Sequence, residues 1–564
     1  MSTNRFLLFC AFLSVGSACG PIVSLDYGTF EGARDGNLTK FLGVPFARPT
    51  ARFELPQAPI RLHGLQNAIA FGPACPQQAL SPGPISFPNH TVVSEACLTL
   101  DVFKPRSAHR HSNLPVFVWL YGGGFEIGAS SDNDLRPAVE RSIILGEPVV
   151  MVAPNYRLSA FGFLAGKEIG DAGLTNLGLR DQILALRWVQ KHIHEFGGDP
   201  ERVVLGGFSA GSISTGLLQT SNKRNSSSLF RGVFMASGFS FPTPTVVDGQ
   251  GAYDDLVAVN NCTNARDTLD CLRRVPFDAF LATVDKTPNF FSYRSLSERW
   301  IPRVDGDVIM RDPVESVARG VFAQMPSMVG DVDDEGTVFA FSSTNVTTDA
   351  EFVEYIRSIY FPDATHAQIS RLAELYPRNP PKGSPFGTGD ANQVTPEFKR
   401  IAAFEGDILG TTFRRLFLDH ATQSTWSWLS KRGKSTPNLG AFHGSDISMW
   451  LPLNATAATD NVAGDALINF INTLDPNRSG APKPFASTAV VFWPKWITPS
   501  EDGPSSLLTF SDPAVINVTA DIFRSEAVEY LTSLFLEGFV IPEVGLQEPV
   551  LSDDRAQVYV GRPL

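Results

Sequence analysis

Beyond its N-terminus this 564-residue chain has no run of about 18 apolar residues, the length a membrane-spanning helix needs. It has no dense block of Lys or Arg either. Its 58 acidic and 46 basic residues leave a net charge of −12, which repels a phosphate backbone and argues against nucleic-acid binding. No internal repeat or long low-complexity tract interrupts it. Charged residues are only 18% against 43% hydrophobic, so there is enough apolar content to offset the entropy of ordering, and disorder is excluded as the main state. Cysteine is scarce, at six residues. Phenylalanine is abundant, at 42, and supplies large apolar walls for a core or a pocket.

The N-terminus sets the compartment. Residues 1–19 carry Arg5, then the apolar stretch Phe6–Val15, then small residues, the pattern of a secretory signal peptide. The expected mature chain, 20–564, forms a single domain and is secreted. Removing the leader leaves four cysteines, an even set suited to an oxidising compartment. Of the three possible pairings, the one joining residues close in sequence, Cys75–Cys97 and Cys262–Cys271, is expected. Eight Asn-x-Ser/Thr sequons agree with a secretory route. Glycans are expected at Asn37, Asn89, Asn225, Asn345, Asn454, Asn477 and Asn517. Asn261, beside Cys262, is set aside.

Apolar runs alternate with amphipathic helices. Pro115–Tyr121, Glu147–Pro154 and Val203–Leu205 read as buried strands. Residues Gly178–His194 and Ser212–Gln219 read as helices. The alternation predicts an α/β fold with a large, mostly parallel sheet flanked by helices. The Pro/Gly-rich stretch 378–388 reads as a surface loop.

Gly207-Phe208-Ser209-Ala210-Gly211 is the one Gly-x-Ser-x-Gly in the chain. It lies between an apolar run and a helix, the strand–turn–helix setting of a nucleophile elbow. Glycines two before and two after the serine let strand and helix approach closely around a tight turn. The helix N-terminus presents the Ala210 N–H where an oxyanion would form. The glycine run after the first strand, Tyr121-Gly122-Gly123-Gly124, offers Gly123 and Gly124 as further donors. A serine needs a general base, which in this arrangement follows it in sequence. His366, His420 and His443 qualify. His366 lies in a polar helical stretch, and His420 lies on a helix where a structural role is expected. His443, in a loop between Gly440 and Gly444, is the best placed. The acid should precede it. Asp331, Asp333, Asp334 and Glu335 crowd one segment after the apolar run Met325–Val329, and composition cannot choose among them.

These segments together resemble the type-B carboxylesterase/lipase family, the cholinesterase-like branch of the α/β-hydrolases, and among them the secreted lipases and esterases of yeasts and filamentous fungi. The resemblance runs in family order through Phe41–Ala47, Ser94–Leu98, Asn155-Tyr156-Arg157, the serine elbow, Leu269–Arg273, Ile301–Gly306, Gly330–Thr337 and Phe442-His443. It implies the α/β-hydrolase fold with a disulfide-closed flap. It also implies Ser209 as nucleophile, Glu335 as acid, His443 as base and the same two disulfides. Neither metal nor cofactor is implied, and the expected partner is a small-molecule or lipid ester. Phe290, Phe291 and Phe339 align with substrate-pocket walls, Ser237 and Asp446 with positions that support the histidine, and Arg52 with Glu95 as a structural ion pair.

The chain also departs from the family. Phe208 stands where many relatives have Glu, and Tyr121 stands where many have His or Phe. The flap between Cys75 and Cys97 is short and carries Pro76, Pro82, Pro84 and Pro88. A short, stiff flap hides little apolar surface. The expectation is therefore a soluble serine carboxylesterase for apolar or aromatic acyl esters, ahead of a triacylglycerol lipase or sterol esterase and of an inactive adhesion-type member.

Overall fold

The computed structural model describes residues 20–49, 51–221, 228–452, 461–477, 492–499 and 503–541. The expected signal peptide, 1–19, and the sequons at Asn225 and Asn454 lie outside them.

An 11-stranded sheet forms the frame. Its strands are β1 (Ala33–Asp35), β2 (Leu38–Pro45), β3 (Thr99–Pro105), β4 (Leu114–Leu120), β5 (Val150–Pro154), β6 (Gly198–Phe208), β7 (Gly232–Ala236), β8 (Ser327–Val332), β9 (Thr425–Lys431), β10 (Ser506–Ser511) and β11 (Val515–Ala520). Their spatial order is β11-β10-β9-β8-β7-β6-β4-β5-β3-β2-β1. From β5 to β10 the neighbours run parallel, while β11 and the β3-β2-β1 side pair antiparallel. A separate small sheet joins Ile22–Leu25, Gly28–Glu31 and Leu65–Asn67.

The parallel strands are apolar on both faces because both faces are covered. Every residue of β5 is buried, as is nearly all of β4. One core holds Val116, Val118, Leu205 and Val233; the opposite core holds Phe117, Trp119, Phe234 and Trp428. Residues alternate between the two cores along each strand, as the two-residue pleat requires.

The predicted elements fall close to the observed ones. Helix α1 is Leu177–His192 and α2 is Ala210–Thr220. The Val203–Leu205 run is the middle of the longer β6, which begins before Pro200. The run at Met325–Val329 is β8 shifted by two residues. Stretch 378–388 is irregular apart from the short turn Pro380–Lys382. It is not merely superficial: Ser384 Oγ and Phe386 N–H donate to the buried Asp334.

Both disulfides join the cysteines close in sequence, Cys75 to Cys97 and Cys262 to Cys271. The sequon residues Asn37, Asn89, Asn345 and Asn517 are exposed. Asn477 is half-buried. Its Nδ2 donates to Trp493 O at 3.0 Å and to Asp475 Oδ1 at 2.9 Å, while its Oδ1 accepts from Trp493 N. Its amide braces residues 475 and 493 together.

Candidate active site

Four loops meet at the carboxyl ends of the parallel strands, where open α/β sheets place their crevices. Ser209 follows β6 directly and takes φ 53° and ψ −126° at the head of α2. The flanking glycines are sterically required. A Cβ on Gly211 would lie 2.1 Å from Leu120 O, and one on Gly207 would lie 2.4 Å from the Gly211 carbonyl. The Ser209 N–H donates to Ala236 O at 3.0 Å, which ties the turn to β7.

His443 reaches the serine from the loop beyond β9. Its Nε2 lies 2.9 Å from Ser209 Oγ, and its Nδ1 lies 2.6 Å from Glu335 Oε2. The other carboxylate oxygen of Glu335 accepts the Val332 N–H at 2.8 Å, which holds the carboxylate in place. The loops carrying Glu335 and His443 are zipped together. Asp334 N–H donates to Ala441 O, Ala441 N–H donates back to Asp334 Oδ2, and Thr337 Oγ1 donates to Leu439 O. All three side chains are buried, with His443 7% and Ser209 8% exposed.

The other two histidines stay away. His366 opens an exposed helix and pairs with Ser370; His420 closes a helix with its Nδ1 2.9 Å from Leu416 O.

Gly123 and Gly124, just after β4, line the same cavity as Ser209 and have φ of 110° and 59°, a region open to glycine. Among the described residues, the N–H groups of Gly123, Gly124 and Ala210 donate to no protein acceptor. Three amides without a protein acceptor therefore belong to residues that line one cavity with Ser209. Tyr121 anchors the base of this loop. It stacks on Tyr156 at 4.4 Å, and each hydroxyl donates to the other residue's carbonyl. Glu126 holds the far side. Its Oε2 accepts the Phe290 N–H and its carbonyl accepts the Gln78 N–H, so one residue links glycine loop, pocket wall and flap. Glu126 was absent from the sequence reading; its place within the Gly122–Gly128 run was the only signal.

A cavity of about 440 Å³ opens over Ser209. Its walls are chiefly apolar and include Phe290, Phe339, Phe208, Ile127 and Ile301. Phe291 is a correction. It does not line this cavity but packs beneath the flap, against Phe87 and against Gly83, whose notional Cβ would lie 2.2 Å from its ring. Phe208 does more than remove a charge. Its ring lies 4.7 Å from the imidazole of His443, with Phe339 at 5.3 Å on another side.

Ser237 and Asp446 make no hydrogen bond to His443 among the described residues. Asp446 accepts from the indoles of Trp428 and Trp450, and burial pushes its carboxyl up to about 6. Arg52 forms a two-pronged pair with Glu95 at 2.9 and 3.1 Å, far from the serine in role: it clamps the flap base to the carbonyls of Leu272 and Val275.

The carboxylesterase family profile matches residues 20–512, most of the chain. The chain belongs to the carboxylesterase family. As a carboxylesterase it is a carboxylic ester hydrolase of the α/β-hydrolase fold. It is 36% identical to a secreted triacylglycerol lipase of Gibberella zeae over 91% of this chain and 90% of that one. It is 40% identical to lipase 5 of Diutina rugosa, over 86% and 91% of the two chains. The crystal structure of Aspergillus niger EstA superposes with a TM-score of 0.79 at 26% identity, covering 93% of this carboxylesterase and all of EstA.

Proposed function

We propose that Ser209, His443 and Glu335 form the catalytic triad of a secreted carboxylesterase, with Gly123, Gly124 and Ala210 as its oxyanion hole. The unbroken line Glu335–His443–Ser209, ending beside three free amides, carries this reading. His443 takes the Ser209 proton as the hydroxyl attacks the ester carbonyl, and Glu335 orients and steadies the imidazolium. The carbonyl oxygen gathers charge at the three N–H groups, which are aimed in advance and need no reorganisation. His443 then protonates the leaving alcohol. Water repeats the sequence on the acyl-enzyme. The acyl group lies against Phe290 and Phe339, which suits apolar or aromatic acids.

Residues 1–19 act as the secretory leader in this reading, and residues from 20 onward form one hydrolase domain. The relative from Gibberella zeae is itself named as secreted.

Hydrolysis of p-nitrophenyl butyrate by the secreted protein tests the proposal. Ser209→Ala should lower kcat by about 10⁴-fold or more and abolish labelling by a fluorophosphonate, with secretion retained. A variant keeping a few per cent of activity at equal purity would remove Ser209 from the role. A triacylglycerol lipase is the second reading, favoured by the names of the relatives. Turnover of triolein emulsion that jumps above its solubility limit and exceeds turnover of soluble esters would promote it.

A further inference from the structure

The cavity over Ser209 has one acid in its wall that the triad does not use. Glu298 lines it between the apolar residues Leu296 and Ile301. Its position is close to the reacting centre. A Cβ built on Gly124 would lie 3.1 Å from Glu298 Oε1 and 2.6 Å from the ring of Phe290. The carboxyl thus stands beside the glycine loop, in the wall of the cavity that Ser209 also lines.

Glu298 also lacks company. Among the described residues it has no cation and no hydrogen-bond partner. Its neighbour Glu126 is fully buried and leaves one carboxyl oxygen, Oε1, without a partner. Burial raises both carboxyls well above the usual range, and the charge of Glu298 raises Glu126 further. Two neighbouring carboxyls with no cation do not both ionise. Burial away from any cation favours the protonated form of Glu298, which offers one O–H donor and one free acceptor to whatever fills the cavity. An apolar ester leaves both unmet, at the desolvation cost of an unpaired polar group. A hydroxyl meets both.

We propose that Glu298 is a specificity-determining residue that hydrogen-bonds a substrate hydroxyl close to the scissile carbonyl, so that hydroxylated esters are the favoured class. The hydroxyl is carried either on the acyl chain, as in esters of hydroxy acids, or on the alcohol, as in partly esterified polyols. The inference rests on the triad reading, since it takes the carbonyl to sit at Gly123, Gly124 and Ala210.

The test compares kcat/KM for two matched pairs: ethyl β-hydroxybutyrate against ethyl butyrate, and ethylene glycol monobutyrate against ethyl butyrate. Glu298→Leu should lower the ratio of hydroxylated to plain ester by about tenfold or more in at least one pair, and the responding pair identifies the side. Glu298→Met serves the same purpose if the leucine variant does not fold. Glu298→Gln keeps a donor and an acceptor and should hold the ratio within about threefold of wild type. Ratios unmoved by Glu298→Leu in both pairs would overturn the proposal. So would a wild-type preference for choline butyrate that Glu298→Gln abolishes, because that requires a charged carboxylate. Ser209→Ala, silent on all these esters, assigns the turnover to this site, so a flat ratio then counts against Glu298 alone.

Discussion

Asp331, Asp333, Asp334 and Glu335 share one short segment but differ in the partners they meet. Asp331 is fully buried against Arg414 at 2.7 Å. Asp333 pairs with Lys434 at 2.5 Å. Asp334 pairs with the same lysine and accepts from Ser384, Phe386 and Ala441. Glu335 alone meets the imidazole. The segment is thus no solvated acidic loop, and its members should respond differently to neutralisation. Glu335→Gln keeps the shape but places an amide against His443 Nδ1; kcat for p-nitrophenyl butyrate should fall by about 10³–10⁴-fold, with the urea midpoint near wild type. Asp334→Ala should do the reverse in emphasis. It strands several buried donors, and urea unfolding should show a loss of about 3 kcal/mol or more.

Among the elements, the β6–α2 turn is the most tightly constrained. β6 and α2 approach so closely that a Cβ on Gly207 would meet the Gly211 carbonyl at 2.4 Å, and α2 sits so near β4 that Gly211 has Leu120 O where its Cβ would be. Gly211→Ala should destabilise by about 1–3 kcal/mol, and any folded fraction should have Ser209 displaced and turnover sharply reduced. A thermal melt alongside active-site titration with a fluorophosphonate separates the two effects. The flap is the other element with consequences. Its base is closed by Cys75–Cys97 and held by Arg52–Glu95, and its tip lays Phe87 on Phe290 at 5.8 Å. His90 on the flap lies 2.9 Å from Asp132 on the loop after β4. The flap thus covers the Phe290 side of the cavity over Ser209.

Across the whole molecule, the sheet brings residues 121–124, 209, 335 and 443 to one edge, because β4, β6, β8 and β9 run parallel and end together. The same burial that excludes water from the site leaves ionisable groups under the sheet. Asp101 on β3 is one. Burial pushes its carboxyl up to about 7, against weaker pulls from the Ser130 hydroxyl and the Gly43 N–H. Its folded value lies above its unfolded one, so between them the folded state holds the extra proton. The stability this confers is present at low pH and is lost as pH rises from about 4 through 7. Asp101→Asn keeps an acceptor for Gly43 without the charge. Its Tm should exceed that of wild type by a margin that widens from pH 5 to pH 8; a constant margin would place the ionisation elsewhere.

Local order was open to reading from residue pattern alone. Continuous apolar runs marked β4, β5 and β6 because strands covered on both faces carry no alternation. The glycine spacing around Ser209 marked the elbow because close approach of strand and helix tolerates nothing larger. The loop setting of His443 separated it from two helical histidines. Partners distant in the chain were another matter. Four adjacent carboxylates look alike until the fold supplies Arg414, Lys434 and His443 from beyond residue 410. Phe290 and Phe291 are neighbours whose rings point into different spaces, and Asn477 carries a sequon whose nitrogen is already bonded. Glu298 gave no signal at all, since an acid becomes unusual only when packing strips it of water and counter-charge. Backbone sterics and burial act over a few residues and leave their trace in composition, whereas which charge meets which is set by contacts that exist only after the chain has closed.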